Sequence, residues 1–164
     1  MTMAELNSMD RAAFVEALGW IFEHCPWVAE RAWDARPFAN LDALHSAMTE
    51  QVDLASFGEK LALLNAHPDL GKRARLSQAS AQEQSGAGLD SLTPAEFEQL
   101  QRLNAAYRSR FGFPFLLAVK GCTKHDVLRE LAARIHASPE DEYREALRQV
   151  YRIARFRLED LIPS

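Results

Sequence analysis

The sequence has few of the features that stabilise a protein by cross-links or anchor it in a membrane. Its only two cysteines, Cys25 and Cys122, lie far apart and form no CxxC motif. A disulfide framework and a cysteine-based zinc or redox site are therefore excluded, and we expect reduced, partly buried thiols. No apolar run approaches the roughly 20 residues that a membrane-spanning helix needs.

An excess of positive charge is missing as well. The 19 lysines and arginines are outnumbered by 23 aspartates and glutamates, so the net charge is −4. This balance argues against the basic surface that is typical of nucleic-acid-binding domains. The five histidines show neither HxH nor HExxH spacing, and the sequence therefore predicts no metal centre.

The two ends of the chain carry no recognisable targeting signal. The amino-terminal MTMAELNSMDR has acidic residues where a signal peptide needs a basic region followed by an apolar one. The chain ends in Ile162, Pro163 and Ser164, which is not a Ser-Lys-Leu peroxisomal address. We therefore expect a cytoplasmic protein that has no membrane partner.

Helical hydrophobic periodicity extends over nearly the whole sequence. A chain of 164 residues can bury roughly two thirds of its unfolded surface, which is enough for a hydrophobic core. We predict an all-α fold, a compact single domain covering residues 1–164 with about seven to nine helices. Strand-like composition occurs only at residues 113–119 (FPFLLAV), which we predict to be one extended apolar segment.

Capping patterns and apolar faces locate the main helices. The patterns TPAE at 93–96, TKHD at 123–126 and SPED at 138–141 are typical of helix starts. The residues predicted to face the core are Phe14, Leu18, Ile21 and Phe22; Phe57, Leu61 and Leu64; Phe97, Leu100, Leu103 and Tyr107; and Val127, Leu128 and Leu131.

One arginine of the last helix interrupts an apolar face. On a helical wheel, Arg157 lies in the middle of the stripe formed by Tyr143, Ala146, Val150, Ala154 and Leu161. A guanidinium that points into a core needs an anion or a set of hydrogen-bond acceptors. Arg157 therefore predicts a buried acidic partner or an anionic ligand, unless the side chain extends outward to solvent.

Two polar motifs in the middle of the chain have both structural and functional interpretations. His67 begins the sequence HPDLG, which is good turn chemistry, and Pro68 disfavours a helical conformation for His67. Ser80 and Glu83 fit a helix-capping box. If a helix begins near Ser80, however, Glu83 and Gln84 share a face with it and form a hydrogen-bonding surface suited to a ureido group.

These motifs belong to a set of sequence blocks that resembles a known family. HPDLG at 67–71, SAQEQSGAGL at 80–89 and LNAAYRSRFGFPFLLAV at 103–119 are similar in order and spacing to the 2-oxo-4-hydroxy-4-carboxy-5-ureidoimidazoline (OHCU) decarboxylases of urate degradation. The segments CPWVAERAW at 25–33 and RFRLEDLI at 155–162 also match. The resemblance covers nearly the full chain. Residues 72–79 (KRARLSQA) depart from the commoner family form, and the path of this loop is not predicted.

The resemblance implies a function and a set of site residues. It implies cofactor-free decarboxylation of an anionic ureidoimidazoline to (S)-allantoin, and it is compatible with a homodimer. The residues implied to be catalytic are His67 and Glu83, and those implied to contact the substrate are Pro68, Ser80, Gln84, Phe115, Leu117 and Arg157.

Two other functions remain open on the residues alone. The same polar groups could activate water in a hydrolase of a related ureide. Alternatively, the apolar segment and the last helix could bind a partner in a non-catalytic helical interaction module, which would leave aromatic side chains exposed. Released CO2, as opposed to ammonia or a ring-opened acid, would distinguish a decarboxylase from a hydrolase.

Overall fold

The computed structural model of the chain describes residues 1–71 and 77–163. In these residues the chain forms α-helices and one short 3-10 helix, with no strand, as the periodicity predicts. The α-helices are α1 (Met3–Asn7), α2 (Arg11–Leu18), α3 (Trp27–Ala32), α4 (Leu41–Asp53), α5 (Phe57–Asn65), α6 (Gln78–Gly86), α7 (Pro94–Phe111), α8 (Lys124–Arg134) and α9 (Pro139–Leu161), and the 3-10 helix is Trp33–Ala35. None of the helices in this part of the chain combines the length and the apolar character that a membrane span requires.

The predicted helix starts are confirmed at the level of individual hydrogen bonds. Thr93 and Thr123 each accept a hydrogen bond from the backbone three residues later, and Glu96 and Asp126 complete the two capping boxes. The Asp141 N–H donates to the Ser138 hydroxyl in the same way at the start of α9. Such caps satisfy backbone donors that the first turn of a helix leaves unpaired, and substitution by alanine typically costs about 1 kcal/mol.

Three predicted faces differ from the structure in detail. The helix predicted to carry Phe14, Leu18, Ile21 and Phe22 is α2, which ends at Leu18, although Ile21 and Phe22 are still buried in the turns that follow it. Phe57 is 65% exposed because it is the first residue of α5, where the side chain precedes the packed face. Phe97 is 39% exposed, and the buried face of α7 is formed by Leu100, Asn104 and Tyr107.

The chain packs into two compact units. The first consists of Met1–Ala66 and the end of the chain from Tyr151. In this unit α3 packs against α2 and α4, and the core is built from large apolar side chains such as Phe14, Leu44 and Met48. Cys25 is also buried there, and its burial raises the pKa of the thiol to about 11, as expected for an unreactive cysteine.

The second unit is His67–Val150, in which α7 packs against α8. Its centre is Tyr107, whose ring is fully buried. Phe113 and Phe115 meet the ring edge to face, with centroids 6.0 and 5.4 Å away, and Phe111 lies 4.6 Å away. Aromatic pairs at these separations stabilise a core beyond the area they bury. Most of the predicted site residues belong to this unit.

Candidate functional site

The histidine turn, residues 67–71, is held by several polar contacts. His67 is 6% exposed, and Asp69, two residues further on, accepts a hydrogen bond from Arg108 Nη2 of α7 at 3.0 Å. Gly71 ends the turn with a φ of +84°, a left-handed conformation that glycine adopts without strain. The turn prediction is therefore confirmed, and the imidazole lies in the protein interior.

One peptide group of this turn is held at both ends. The Leu70 carbonyl accepts a hydrogen bond from Asn104 Nδ2 at 2.9 Å. The Gly71 N–H of the same peptide donates to Gln84 Oε1 at 3.0 Å. Because α7 supplies Asn104 and α6 supplies Gln84, both helices fix the position of the turn that carries His67.

Gly71 allows a test of how tightly this turn is packed. A Cβ at position 71 would lie 2.5 Å from Leu100 Cδ2, in addition to the strain of a positive φ. We expect Gly71→Ala to lower the free energy of unfolding by about 2 to 4 kcal/mol, measured by urea denaturation.

The matched control is Gly112→Ala, since Gly112 has a φ of +80° and nothing within 4 Å of the added Cβ. It should show the backbone strain alone, at about 1 kcal/mol. Equal losses in the two variants would mean that Leu100 adjusts to the new methyl group without cost.

The helix α6 does not begin with the capping box that the sequence suggests at Ser80. Ser77 caps the helix and accepts from the Ser80 N–H, so Ser80 lies inside the first turn. The capping interpretation of Ser80 is therefore wrong, because the N-cap residue of α6 is Ser77. Ser80 and Gln84 are each 6% exposed and Glu83 is half-buried, on the i, i+3 and i+4 positions of one face.

The apolar segment 113–119 lies outside the helices and is almost entirely buried. Phe115 is 2% exposed, whereas Leu117 is the one residue of the segment that keeps intermediate exposure. Phe115 contacts Tyr107 of α7 and Arg134 of α8, whose Cζ lies 4.5 Å from the phenyl centroid. Phe115 is thus a core residue, and Leu117 is the more accessible of the two predicted wall residues.

A buried ionic cluster that the sequence did not predict holds this segment. Arg134 Nη1 donates to the Leu116 carbonyl at 2.7 Å, and Nε donates to Glu142 Oε1 at 2.7 Å. The same carboxylate oxygen accepts from the Tyr107 hydroxyl at 2.5 Å. Burial and the neighbouring Glu142 raise the pKa of Tyr107, so the phenol stays protonated and donates. The charges of Arg134 and Glu142 compensate each other in the interior.

A second side chain holds the segment two residues further along. Gln149 Oε1 of α9 accepts a hydrogen bond from the Ala118 N–H at 2.9 Å. Its Nε2 donates to Glu145 Oε1 at 2.8 Å, which fixes the amide orientation. A hydrogen bond from Arg148 lowers the pKa of Glu145 to about 2, so the carboxylate remains ionised at neutral pH. Arg134 and Gln149 thus fix the backbone on both sides of Leu117.

Arg157 belongs to the first unit and points into its interior, as the helical wheel predicts. The side chain is buried, with 3% exposure of the residue. Its Nη1 donates to the carbonyls of Trp20 and Ile21 at 3.2 and 3.3 Å, and its Nη2 lies 3.7 Å from Glu23 Oε2. Glu23 is 1% exposed. Of the partners predicted for Arg157, the structure therefore contains the acidic one, and the outward conformation is excluded.

The remaining predictions for the site concern metal ligands and the loop after the turn. In residues 1–71 and 77–163, no three histidine, cysteine, aspartate or glutamate side chains are grouped so that they could hold a metal ion. Positions 72–76, which form most of the loop whose path was not predicted, lie outside the described residues.

A buried histidine in a turn that is bonded to the polar face of α6 combines residue types that enzymes use for acid–base chemistry and for hydrogen bonding to a substrate. The family model described as OHCU decarboxylase matches residues 7–159. The chain therefore belongs to the OHCU decarboxylase family, and the resemblance stated from the motifs is confirmed.

Individual relatives agree with this assignment. The chain is 46% identical over 164 residues to the 2-oxo-4-hydroxy-4-carboxy-5-ureidoimidazoline decarboxylase of Haloferax volcanii, with 100% of this chain and 98% of the relative covered. A crystal structure of (S)-allantoin synthase superposes with a TM-score of 0.79 at 38% identity, and the match covers 99% of this chain and 54% of that one. An OHCU decarboxylase crystallised with (S)-allantoin, at 22% identity and a TM-score of 0.70 over 84% of this chain and 92% of that one, shares the fold.

Proposed function

We propose that this protein catalyses the cofactor-free decarboxylation of OHCU to (S)-allantoin. Membership of the OHCU decarboxylase family supports the reaction. The structural observation that carries the proposal is the histidine turn, whose Gly71 N–H is bonded to Gln84 on the polar face of α6. This bond links the predicted general acid or base to the predicted ureido-binding helix.

The substrate supplies the chemistry that other decarboxylases take from a cofactor. Loss of CO2 breaks a carbon–carbon bond and leaves an electron pair that needs an acceptor. In OHCU a C=N bond adjoins the carbon that bears the carboxylate and the hydroxyl group. The electron pair moves into that bond and gives an enol-like species, and protonation of one face then gives (S)-allantoin.

His67 and Glu83 are the proposed catalytic residues. His67 acts as a general acid or base next to the leaving carboxylate, and Glu83 assists the proton transfer. The burial of His67 and the contacts of its turn support this role, because a positioned group is far more effective than one in solution. Glu83 is half-buried on the same helix as Gln84.

Five other residues of the second unit are proposed to bind the substrate. Ser80 and Gln84 fix the ureido arm, and Pro68 lines the site next to His67. Since Gln84 Oε1 already accepts from Gly71, its Nε2 group is the end that donates to a ureido oxygen. Phe115 and Leu117 form the apolar wall, of which Leu117 keeps the greater exposure.

Arg157 is proposed to orient the anionic substrate, and the presence of Glu23 determines how this must be tested. We expect Arg157→Leu to lower the free energy of unfolding by about 2 to 3 kcal/mol, because the buried Glu23 carboxylate loses a cationic neighbour at 3.7 Å. Adding Glu23→Gln removes the charge and should restore most of that loss. Thermal unfolding of the wild type, the single and the double variant measures both effects.

The double variant then isolates the role of Arg157 towards the ligand. If Arg157 orients the anionic substrate, the variant with both substitutions is expected to show a KM for OHCU at least tenfold higher than Glu23→Gln alone, measured with OHCU because (S)-allantoin has lost the carboxylate. Equal KM values of these two proteins would restrict Arg157 to a structural role.

We further propose that the two compact units together form one functional domain over residues 1–164, since the family match extends across both. The protein is proposed to act in the cytoplasm on this small anionic substrate, without a nucleic-acid or membrane partner. A homodimer is the assembly to test, by light scattering coupled to size-exclusion chromatography.

The function is tested by a coupled assay that starts from urate. Uricase and hydroxyisourate hydrolase generate OHCU in place, and its ultraviolet decay and the circular dichroism of the allantoin are followed with and without this protein. We expect faster decay, released CO2 and an excess of (S)-allantoin, because protonation in free solution has no preferred face. Unchanged decay would support an interaction module, and ammonia or a ring-opened acid would indicate a hydrolase.

A further inference from the structure

Asn104 is the polar residue on the buried face of α7, and one end of its side chain is hydrogen-bonded to the histidine turn. It is 7% exposed, and Nδ2 donates to the Leu70 carbonyl in the histidine turn at 2.9 Å. A carbonyl can only accept, so the chemistry of this contact identifies the amide end that faces the turn as the NH2 group. The Oδ1 atom is therefore the other end, and its orientation is fixed.

The other end of Asn104 is an acceptor that has no partner. Oδ1 is buried and receives no hydrogen bond from any group in residues 1–71 and 77–163. It is the one buried side-chain nitrogen or oxygen of that part of the chain in this condition. Most buried polar atoms in folded proteins are hydrogen-bonded, because an unpaired one costs free energy, so an exception points to a partner from outside the chain.

Gln84 complements Asn104 across the Leu70–Gly71 peptide. Gln84 accepts a hydrogen bond from the Gly71 N–H through Oε1, so its NH2 group remains as a possible donor. Asn104 donates to the Leu70 carbonyl through its NH2 group, so its Oδ1 atom remains as a possible acceptor. The two side chains that hold one peptide group thus offer a ligand one donor, from Gln84, and one acceptor, from Asn104. A ureide, which contains a carbonyl next to an N–H, is complementary to such a pair.

We propose that Asn104 is a substrate-recognising residue, whose Oδ1 accepts a hydrogen bond from an N–H of the ureide while Gln84 donates to a carbonyl oxygen. The inference rests on the proposed function, since it assigns a new contact in the same site. It explains why a carboxamide occupies the core-facing position between Leu100 and Tyr107, since the contact with the Leu70 carbonyl uses only the NH2 end of the side chain.

The test is a thermodynamic cycle between the residue and the ligand. (S)-Allantoin and its mono-N-methylated derivatives, each lacking one N–H, are titrated into the wild type and into Asn104→Leu. We expect one derivative to bind the wild type about tenfold more weakly than (S)-allantoin, a difference of about 1.4 kcal/mol. In Asn104→Leu the same derivative and (S)-allantoin should bind within threefold of each other.

A merely structural role of Asn104 predicts a different result. Loss of the Leu70 contact would weaken all ligands by the same factor, and this outcome would overturn the proposal. Gln101→Leu is the matched control, because Gln101 is an exposed amide of the same helix and should keep the discrimination of the wild type. Asn104→Ser is measured alongside, in case the leucine variant does not fold.

A second measurement needs no variant. In a crystal structure of the wild type with (S)-allantoin, a ligand nitrogen should lie within about 3.2 Å of Oδ1. A water molecule at that place, or no neighbour, would contradict the assignment. If the wild type neither binds (S)-allantoin nor accelerates OHCU decay, the proposed function fails, whereas binding without any dependence on Asn104 contradicts the inference about this residue alone.

Discussion

Replacing His67 by asparagine is expected to lower kcat for OHCU decarboxylation by about 100- to 10,000-fold, the range typical of a lost general acid or base. Asparagine keeps a polar side chain of similar size at the start of the turn but cannot exchange a proton at neutral pH. Because Asp69, Leu70 and Gly71 are held by other residues, the turn should keep its conformation. The free energy of unfolding should therefore change little.

The measurement is the ultraviolet decay of OHCU at saturating substrate, together with urea denaturation of each variant. His125→Asn is the control, since the side chain of His125 is 70% exposed on α8 and should leave kcat within about twofold. A His67→Asn protein that turns over within about threefold of the wild type while remaining folded would refute the catalytic role.

The helical fold could be predicted because its signals are local. A cap such as Thr93 with Glu96 acts over three residues, and the structure contains both hydrogen bonds of that box. The faces of α8 and α9 are predictable for the same reason, since Val127, Leu131 and Val150 repeat at helical spacing and are all buried. Local periodicity therefore determines which residues are helical and which side points inward.

Sequence reasoning is wrong where hydrophobicity and position in the helix disagree. Phe57 and Phe97 are predicted in core faces because they fall at helical spacing with other apolar residues, but each lies in the first turn of its helix and is exposed. Asn104 is missed because it is polar, although it lies at i+4 from Leu100 and three residues before Tyr107. That spacing is the available signal, and it places a carboxamide in the core.

The site is predictable in its residue types and not in its pairings. Arg157 can be recognised from α9 alone as a buried cation that needs an anion, but its neighbour Glu23 is distant in sequence. The same applies to the bond between Gln84 and the Gly71 N–H. Pairings of this kind depend on how helices pack, and a single sequence carries no local signal for them.

The buried Arg134–Glu142 pair leads to the largest expected effect on stability. We expect Arg134→Met to lower the free energy of unfolding by about 3 to 5 kcal/mol, because it leaves the Glu142 carboxylate buried without its cation. For a chain of this length the melting temperature should fall by roughly 6 to 20 °C. Calorimetry and urea denaturation at neutral pH measure the loss, with Arg129→Met on the exposed face of α8 as a control that should change stability by less than about 0.5 kcal/mol.

A triple variant separates the stabilising effect of this cluster from its effect on the apolar segment. Arg134→Met with Glu142→Met and Tyr107→Phe removes the charges together with the hydroxyl that would otherwise lose its acceptor. Apolar replacement of a whole buried cluster is often neutral or stabilising, so most of the lost free energy should return. A triple variant as unstable as Arg134→Met would show that the lost free energy of unfolding comes from packing and not from an unpaired buried charge.

The triple variant should recover its stability and still bind the ligand weakly, because the Leu116 carbonyl lacks the hydrogen-bond donor that Arg134 provides in the wild type. Without it, the hydrogen bond from the Ala118 N–H to Gln149 remains to hold the backbone next to Leu117. We therefore expect the triple variant to bind (S)-allantoin about tenfold more weakly than the wild type, an effect of about 1.4 kcal/mol. Full affinity in a stable triple variant would show that Arg134 stabilises the helical unit without positioning the wall of the site.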